Sequence, residues 1–170
     1  MNGRLLRAIL ILPGTALVAV PGAILWLTRA ATLSWELSGP ARPQFWLALL
    51  FFAVGAWLMV GTVALFARFG MGTPAPWDPP RALVVRGVYR HVRNPMISGV
   101  ICVLLAETLL FQSLPLLAWA AVFVAANLIY IPNFEEPGLE RRFGEPYRVY
   151  KANVPRWLPR LRPWDSGDAA

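Results

Sequence analysis

The sequence predicts an all-α fold: a polytopic membrane helical bundle of about four transmembrane helices. It forms one integral membrane domain over residues 1–170, with a tight C-terminal helical hairpin and a cytoplasmic tail. Three observations lead there. Hydrophobic residues make up 57% of the 170 and charged residues only 15%, whereas a soluble domain is about 25% charged. The apolar residues fall into blocks long enough to cross a bilayer, which takes roughly 20 residues at 1.5 Å each. The basic residues, which give a net charge of +7, cluster between alternate blocks. Such hydrophobicity excludes a disordered chain. The single cysteine, Cys102, excludes an internal disulfide framework and a multi-cysteine metal site, and no metal is expected.

The first span covers about residues 5–28. Arg4 and Arg7 ahead of an apolar run resemble a signal peptide, but the run is longer than such a core, and Leu25-Trp26-Leu27 is a poor cleavage site. An uncleaved span is expected, with kinks at Pro13 and Pro21. The second span, residues 45–69, is the clearest. The third (96–111) and fourth (114–131) are separated by Gln112-Ser113 alone, so they form a tight antiparallel hairpin. Ser98, Gly99, Cys102 and Ala106 fall near one stripe of the third span. Ala118, Ala121, Ala125 and Ala126 do the same on the fourth. Small residues let membrane helices approach closely, so these stripes are expected to face each other. Counting back from the turn places Asn127 opposite Ser98, where a contact would knit the hairpin or line a pocket. Glu107 lies about 7 Å from the outer end of its helix, within reach of the interface.

Charge gives the orientation. With four spans, the N-terminus, the loop 70–95 and the tail 132–170 share one side of the membrane. Counting Arg7 and Arg68 at the cytoplasmic ends of the first two spans, that side carries fourteen of the sixteen Lys and Arg residues. The positive-inside rule makes it cytoplasmic, with both termini inside, as in a bacterial inner-membrane protein. The basic balance is thus a topology signal, and no nucleic acid partner is expected.

Most of the chemistry lies on the same side. Pro74, Pro76, Pro79 and Pro80 forbid a helix in the early loop and favour extended backbone. Asn94-Pro95 has the form of a helix start, with Asn as N-cap and Pro at the first helical position. In the tail, Glu135 and Glu136 stand side by side where the last span leaves the bilayer, a place where carboxylates need cations, donors or water. Either carboxylate can pair with Arg141, Arg142 or an arginine of the 70–95 loop. Pro155 and Pro159 stop any helix beyond, and Trp157 and Trp164 suit an interfacial belt.

The segment Arg90-His-Val-Arg-Asn-Pro-Met96 followed by Gly99 resembles the Arg-His/Asn-Pro-x-x-x-Gly segment of the isoprenylcysteine carboxyl methyltransferase and phospholipid methyltransferase families. Glu135-Glu136-Pro137, with Leu139, Phe143-Gly144, Tyr147 and Tyr150, is similar to their tail motif. The order also matches: loop motif, hairpin, double-Glu tail. Asn94 stands where many relatives have His, and Ile97 where relatives often have Tyr.

The resemblance implies a membrane-embedded methyltransferase whose cofactor, S-adenosylmethionine, sits between the cytoplasmic half of the hairpin and the tail. The cofactor-binding candidates are Tyr89, Arg93, Asn94, Pro95, Met96, Gly99, Glu135, Glu136, Leu139, Tyr147 and Tyr150. Carboxylates accept bonds from an ammonium or ribose hydroxyls; an arginine or helix N-terminus holds a carboxylate; tyrosine stacks on adenine or lies against a sulfonium. The acceptor expected is lipid-like or small and apolar: an isoprenylcysteine carboxylate, a phospholipid amine or similar. Methyl transfer needs positioning above all, and no catalytic residue is named. His91 is the only histidine available as a base. Two other readings remain: an NADPH-dependent membrane lipid or sterol reductase, whose 2′-phosphate would sit on the tail arginines, and a non-enzymatic membrane protein keeping the fold.

Overall fold

The computed structural model describes Arg7 and residues 11–29, 35–69 and 83–165. The start of the first span and the proline-rich run 74–80 lie outside the described residues. Every regular element among the described residues is helical. In chain order they are α1 (Ile11–Thr28), α2 (Pro43–Phe69), a 3-10 turn (Gly87–Arg90), α3 (Pro95–Phe111), α4 (Leu114–Tyr130), α5 (Glu136–Phe143) and α6 (Glu145–Asn153). Three helical runs are long and apolar enough to cross a membrane: Ile11–Thr28, Pro43–Arg68 and Leu114–Phe143. α3, with 17 residues, is about 26 Å long at 1.5 Å per residue.

The third of those runs is longer than the expected fourth span: the helix does not stop at Ile131 but continues through a π turn, Ile131–Glu135, into α5. Pro132 lacks an N–H and its ring crowds the preceding turn. Widening that turn, so that Glu136 N–H reaches back to Ile131 O, lets the helix pass the proline instead of stopping.

The same device opens α1 to a partner. In the π turn Thr15–Ala19, Val20 N–H bonds Thr15 O. Ala16 O therefore loses its usual partner at Val20, and the next residue, Pro21, has no N–H to offer. Trp119 Nε1 on α4 donates to that carbonyl at 3.0 Å, which pins α1 to the hairpin. Around this bond Ala16, Val100, Leu104 and Ala120 form a core with Leu17, Met59 and Phe123 packed on it. Trp119→Phe should keep most of the packing but orphan a buried carbonyl. We expect a loss of about 1–3 kcal/mol, read as a lower unfolding temperature in detergent.

α3 is the central helix. Eight of its seventeen residues are buried, so little of its surface is left for lipid. Its hairpin with α4 forms as expected, through Gln112 in the left-handed region (φ 47°) and Ser113, whose side chain accepts from Leu116 N at 3.4 Å. The small-residue stripe, however, faces α2 rather than α4. A Cβ on Gly99 would meet Met59 Cγ at 2.6 Å and Gly55 O at 2.9 Å, and one on Gly55 would meet Gly99 O at 2.7 Å. The physical reason is that glycine meets glycine only across α2 and α3, where the backbones touch. Ala118, Ala121, Ala125 and Ala126 are exposed, on the outer face of α4. α4 meets the core instead through Leu116 and Ala120.

The outward faces are apolar. Trp46, Leu50, Phe52, Trp57 and Val60 on α2 are exposed, as are Val122, Leu128 and Ile129 on α4. A belt of this kind suits hydrocarbon as solvent. At the end of the bundle holding the hairpin turn, the first loop is tied down by Glu36 N to Phe111 O (3.1 Å), Ser38 N to Leu110 O (2.6 Å), and Arg42 to Glu36 and Gln112. Glu107, half-buried on α3, has its Oε2 buried without a hydrogen-bond partner among the described residues.

Candidate functional site

The opposite end of the bundle is built around the start of α3. Gly87, at φ 53°, opens the 3-10 turn. That turn buries Val88 and leads through Val92 to Asn94 and Pro95. Pro95 takes the first helical position as expected. Asn94 occupies the N-cap position, but its side chain makes no cap bond there. Its Nδ2 donates instead to Arg156 O at 3.4 Å, because the tail already lies alongside.

Residues 154–164 form a strap on this segment. Arg93 donates from Nε to Val154 O (2.8 Å) and from its backbone N to Pro155 O (2.9 Å). Ser98 Oγ donates to Trp157 O at 3.0 Å. The strap then turns back: Arg160 N donates to His91 O (2.9 Å), His91 Nδ1 lies 2.8 Å from Arg160 O, and Trp164 N donates to Arg90 O (2.9 Å). Arg90 also pairs with Asp165. The expected Ser98–Asn127 contact does not form: Ser98 serves the strap, and Asn127 Nδ2 bonds Phe123 O of its own helix at 2.9 Å. Loss of the Ser98 hydroxyl removes one such bond, so Ser98→Ala should cost about 1 kcal/mol, measured by thermal unfolding.

A single carboxylate locks the strap. Glu136, 2% exposed, receives Arg93 Nη1 at 2.7 Å on Oε1. Arg156 clamps it with two bonds, Nε to Oε1 at 2.6 Å and Nη2 to Oε2 at 2.8 Å. Lys151 Nζ stands 3.5 Å from Oε2. A bidentate guanidinium pair is the strongest form of such contact. The bond to Glu136 holds the Arg156 pKa above its ordinary value.

Glu135 is the counterpart. It is half-buried, and it has no ion pair or hydrogen bond among the described residues. Residues adjacent on a helix point roughly 100° apart. One carboxylate therefore faces the arginines while the other faces away. Tyr89 lies within electrostatic reach of Glu135, and so does Tyr147.

The aromatic residues close the site from below. Tyr147, Tyr150, Val154 and Trp164 form a buried cluster, packed by Leu83, Val85, Leu139, Phe143 and Val149. Trp164 is thus a core residue and not an interfacial anchor. The hairpin-like return of the strap carries it inward. Tyr150 OH donates to Tyr89 O at 2.8 Å. Burial, with the charge of Glu136 second, pushes the Tyr147 pKa up to about 12. Burial also raises Tyr89 and Tyr150 above the ordinary phenol range. These hydroxyls are therefore donors at neutral pH and not bases.

Of the residues singled out in the sequence, Tyr89, Arg93, Asn94, Glu135, Glu136, Tyr147 and Tyr150 come together at this end. Pro95 and Met96 are buried at the start of α3 beside them. Leu139 packs on the aromatic cluster. Gly99 lies one turn deeper, and its open side is filled by Met59 and Gly55. The sequence reading missed Arg156, Lys151 and Ser98 as members of the lock. Pro155 and Pro159 had marked the strap as non-helical, but nothing local said which carboxylate Arg156 would find. The tail arginines offered to a 2′-phosphate are largely engaged: Arg156 by Glu136, Arg148 by Glu140 (3.0 Å) and Glu145 (2.8 Å).

Compared with protein-family models, residues 43–146 match the model described as phospholipid methyltransferase. The match starts with α2, takes in the Gly55–Gly99 crossing, Asn94-Pro95 and both glutamates, and stops before Tyr147. α1 and the strap lie outside it. No curated protein matches the chain.

Proposed function

The chain belongs to the phospholipid methyltransferase family, and from that premise we propose a membrane-embedded enzyme that uses S-adenosylmethionine to methylate a lipid-like or small apolar acceptor. Four crossings, by α1 to α4, with both termini in the cytoplasm put the described site at the inner surface of the membrane. The fourteen-to-two division of basic charge supports this orientation.

The observation that carries the reading is the split between the two glutamates. Glu136 is saturated by arginine, whereas Glu135 offers a half-buried carboxylate with no protein partner among the described residues. Such a group fits the ammonium or the ribose hydroxyls of the cofactor. The first turn of α3 leaves amide N–H groups without intrahelical partners, which suits the cofactor's carboxylate. Tyr89, half-buried beside Glu135, offers an aromatic surface to a cation. When bound, the cofactor supplies a methyl group on a positively charged sulfur, already activated for displacement. The chain then has to hold the acceptor in line and keep water out. The aromatic cluster packs one side of that end with apolar side chains.

The test is calorimetric titration of the detergent-purified protein with S-adenosylmethionine and, separately, with NADPH. Saturable binding of the first and not the second is expected. Glu135→Ala should weaken that binding by about tenfold or more, the value of one charge-assisted bond, at an unchanged unfolding temperature. Binding of NADPH alone would favour the reductase, binding of neither the non-enzymatic reading, and equal affinity in Glu135→Ala would remove Glu135 from the site.

A further inference from the structure

The strap has a second face that the lock does not use. Leu158 is 81% exposed and Leu161 is 98% exposed, and Pro159 and Arg162 are exposed with them. Singly exposed leucines need no partner; the depth of this loop gives these two one. Trp157 O accepts from Ser98 Oγ at 3.0 Å, and Ser98 lies three residues inside α3, about 4.5 Å below its first residue. The chain reaches that level at Trp157 and is back beside His91 by Arg160. The tip between them therefore hangs at the level of the first turn of a helix that, on the reading above, enters the bilayer there.

We infer that the end of the strap is a shallow membrane wedge: Leu158, at its tip, inserts at the boundary of headgroups and acyl chains of the cytoplasmic leaflet, while Leu161, on the returning arm beside His91, lies higher among the headgroups, and Arg162 meets the phosphates of anionic lipids. Leucine below and arginine above is the pattern of an interfacial anchor. Arg160 is held back by Asn153 O at 2.9 Å, which fixes the arm of the loop while its tip is free to insert. The wedge gives the strap two attachments, Glu136 within the protein and the lipid surface outside it. The inference rests on the proposed topology, and the test separates the two.

Leu158→Cys and Leu161→Cys, each in a Cys102→Ala background, carry an environment-sensitive fluorophore in liposomes of phosphatidylcholine and phosphatidylglycerol. The same label at Val122, exposed midway along α4, and at Ala152, exposed at the end of α6, gives the lipid and water references. The labels at 158 and 161 should be quenched by shallow lipid-borne nitroxides. Quenching of the 158 label by aqueous iodide should be on the order of tenfold weaker than at Ala152, as for a group in the interface, with the 161 label between the two. Iodide quenching equal to that at Ala152, with Val122 still quenched from lipid, overturns the wedge and leaves the topology standing. Iodide quenching at Val122 overturns the topology itself. Arg162→Glu should shift both labels toward water only when phosphatidylglycerol is present. An unchanged depth would strike Arg162 and anionic lipid from the inference.

Discussion

Glu136→Ala is expected to destabilise the protein by about 3–5 kcal/mol, the range for breaking a buried ion pair from one side. Three cations converge on this carboxylate; the Arg93 side chain is only 9% exposed and that of Arg156 is partly buried at 28%. Removing the acceptor strands their charge in a site that admits little water. The loss should be local as well as global. Arg93 also holds Val154 O and Pro155 O, so an Arg93 released from Glu136 loosens the strap, and with it Trp164. Limited proteolysis between residues 154 and 165 should therefore accelerate before the bundle unfolds. Glu136→Gln, which keeps acceptor geometry without the charge, should fall between. An unfolding temperature unchanged in Glu136→Ala would mean that the lock is ornamental. By sequence both glutamates are cofactor-binding candidates that can also pair with arginine; the structure pairs Glu136 with Arg93 and Arg156 and leaves Glu135 without such a partner among the described residues.

Gly99→Leu should fail at the other critical contact. Even the first atom of a side chain meets backbone there, Gly55 O at 2.9 Å, as well as Met59 Cγ at 2.6 Å. A methionine side chain can swing aside, but a carbonyl in the middle of α2 cannot without moving the helix. The cost should reach or exceed the upper end of the roughly 1–3 kcal/mol typical of overpacking. Gly22→Ala is the control. Nothing lies within 4 Å of its missing Cβ, and alanine in place of glycine within a helix gains about 0.5–1 kcal/mol. Thermal unfolding of both variants in the same detergent should move in opposite directions. Equal effects would mean that the α2–α3 crossing is looser than described.

What the sequence made legible is what local chemistry decides. Apolar blocks of spanning length, a two-residue turn at Gln112-Ser113 and the Asn94-Pro95 helix start all follow from hydropathy, proline and capping. What it left hidden depends on partners far along the chain. The stripe through Gly99 has one sequence pattern and two possible neighbours. Only the meeting with Gly55, 44 positions earlier, decides between them. The fourth span is read as ending at 131, yet a π turn carries its helix past Pro132. Asn127 and Ser98 are level across the hairpin by counting, but each finds a nearer partner. Glu135 and Glu136 are indistinguishable by type. Their separate roles come from the rotation between successive helical residues and from where Arg93 and Arg156 arrive.

The central claim is that this end of the bundle transfers a methyl group to a molecule drawn from the membrane. It is tested most directly by incubating the reconstituted protein with lipid extract and methyl-deuterated S-adenosylmethionine, then searching the lipids by mass spectrometry. The account predicts a lipid-soluble species carrying the labelled methyl, formed by the wild type and strongly reduced with Glu135→Ala at unchanged folding. No labelled species from protein that is folded and binds the cofactor, across extracts of several sources, would contradict it.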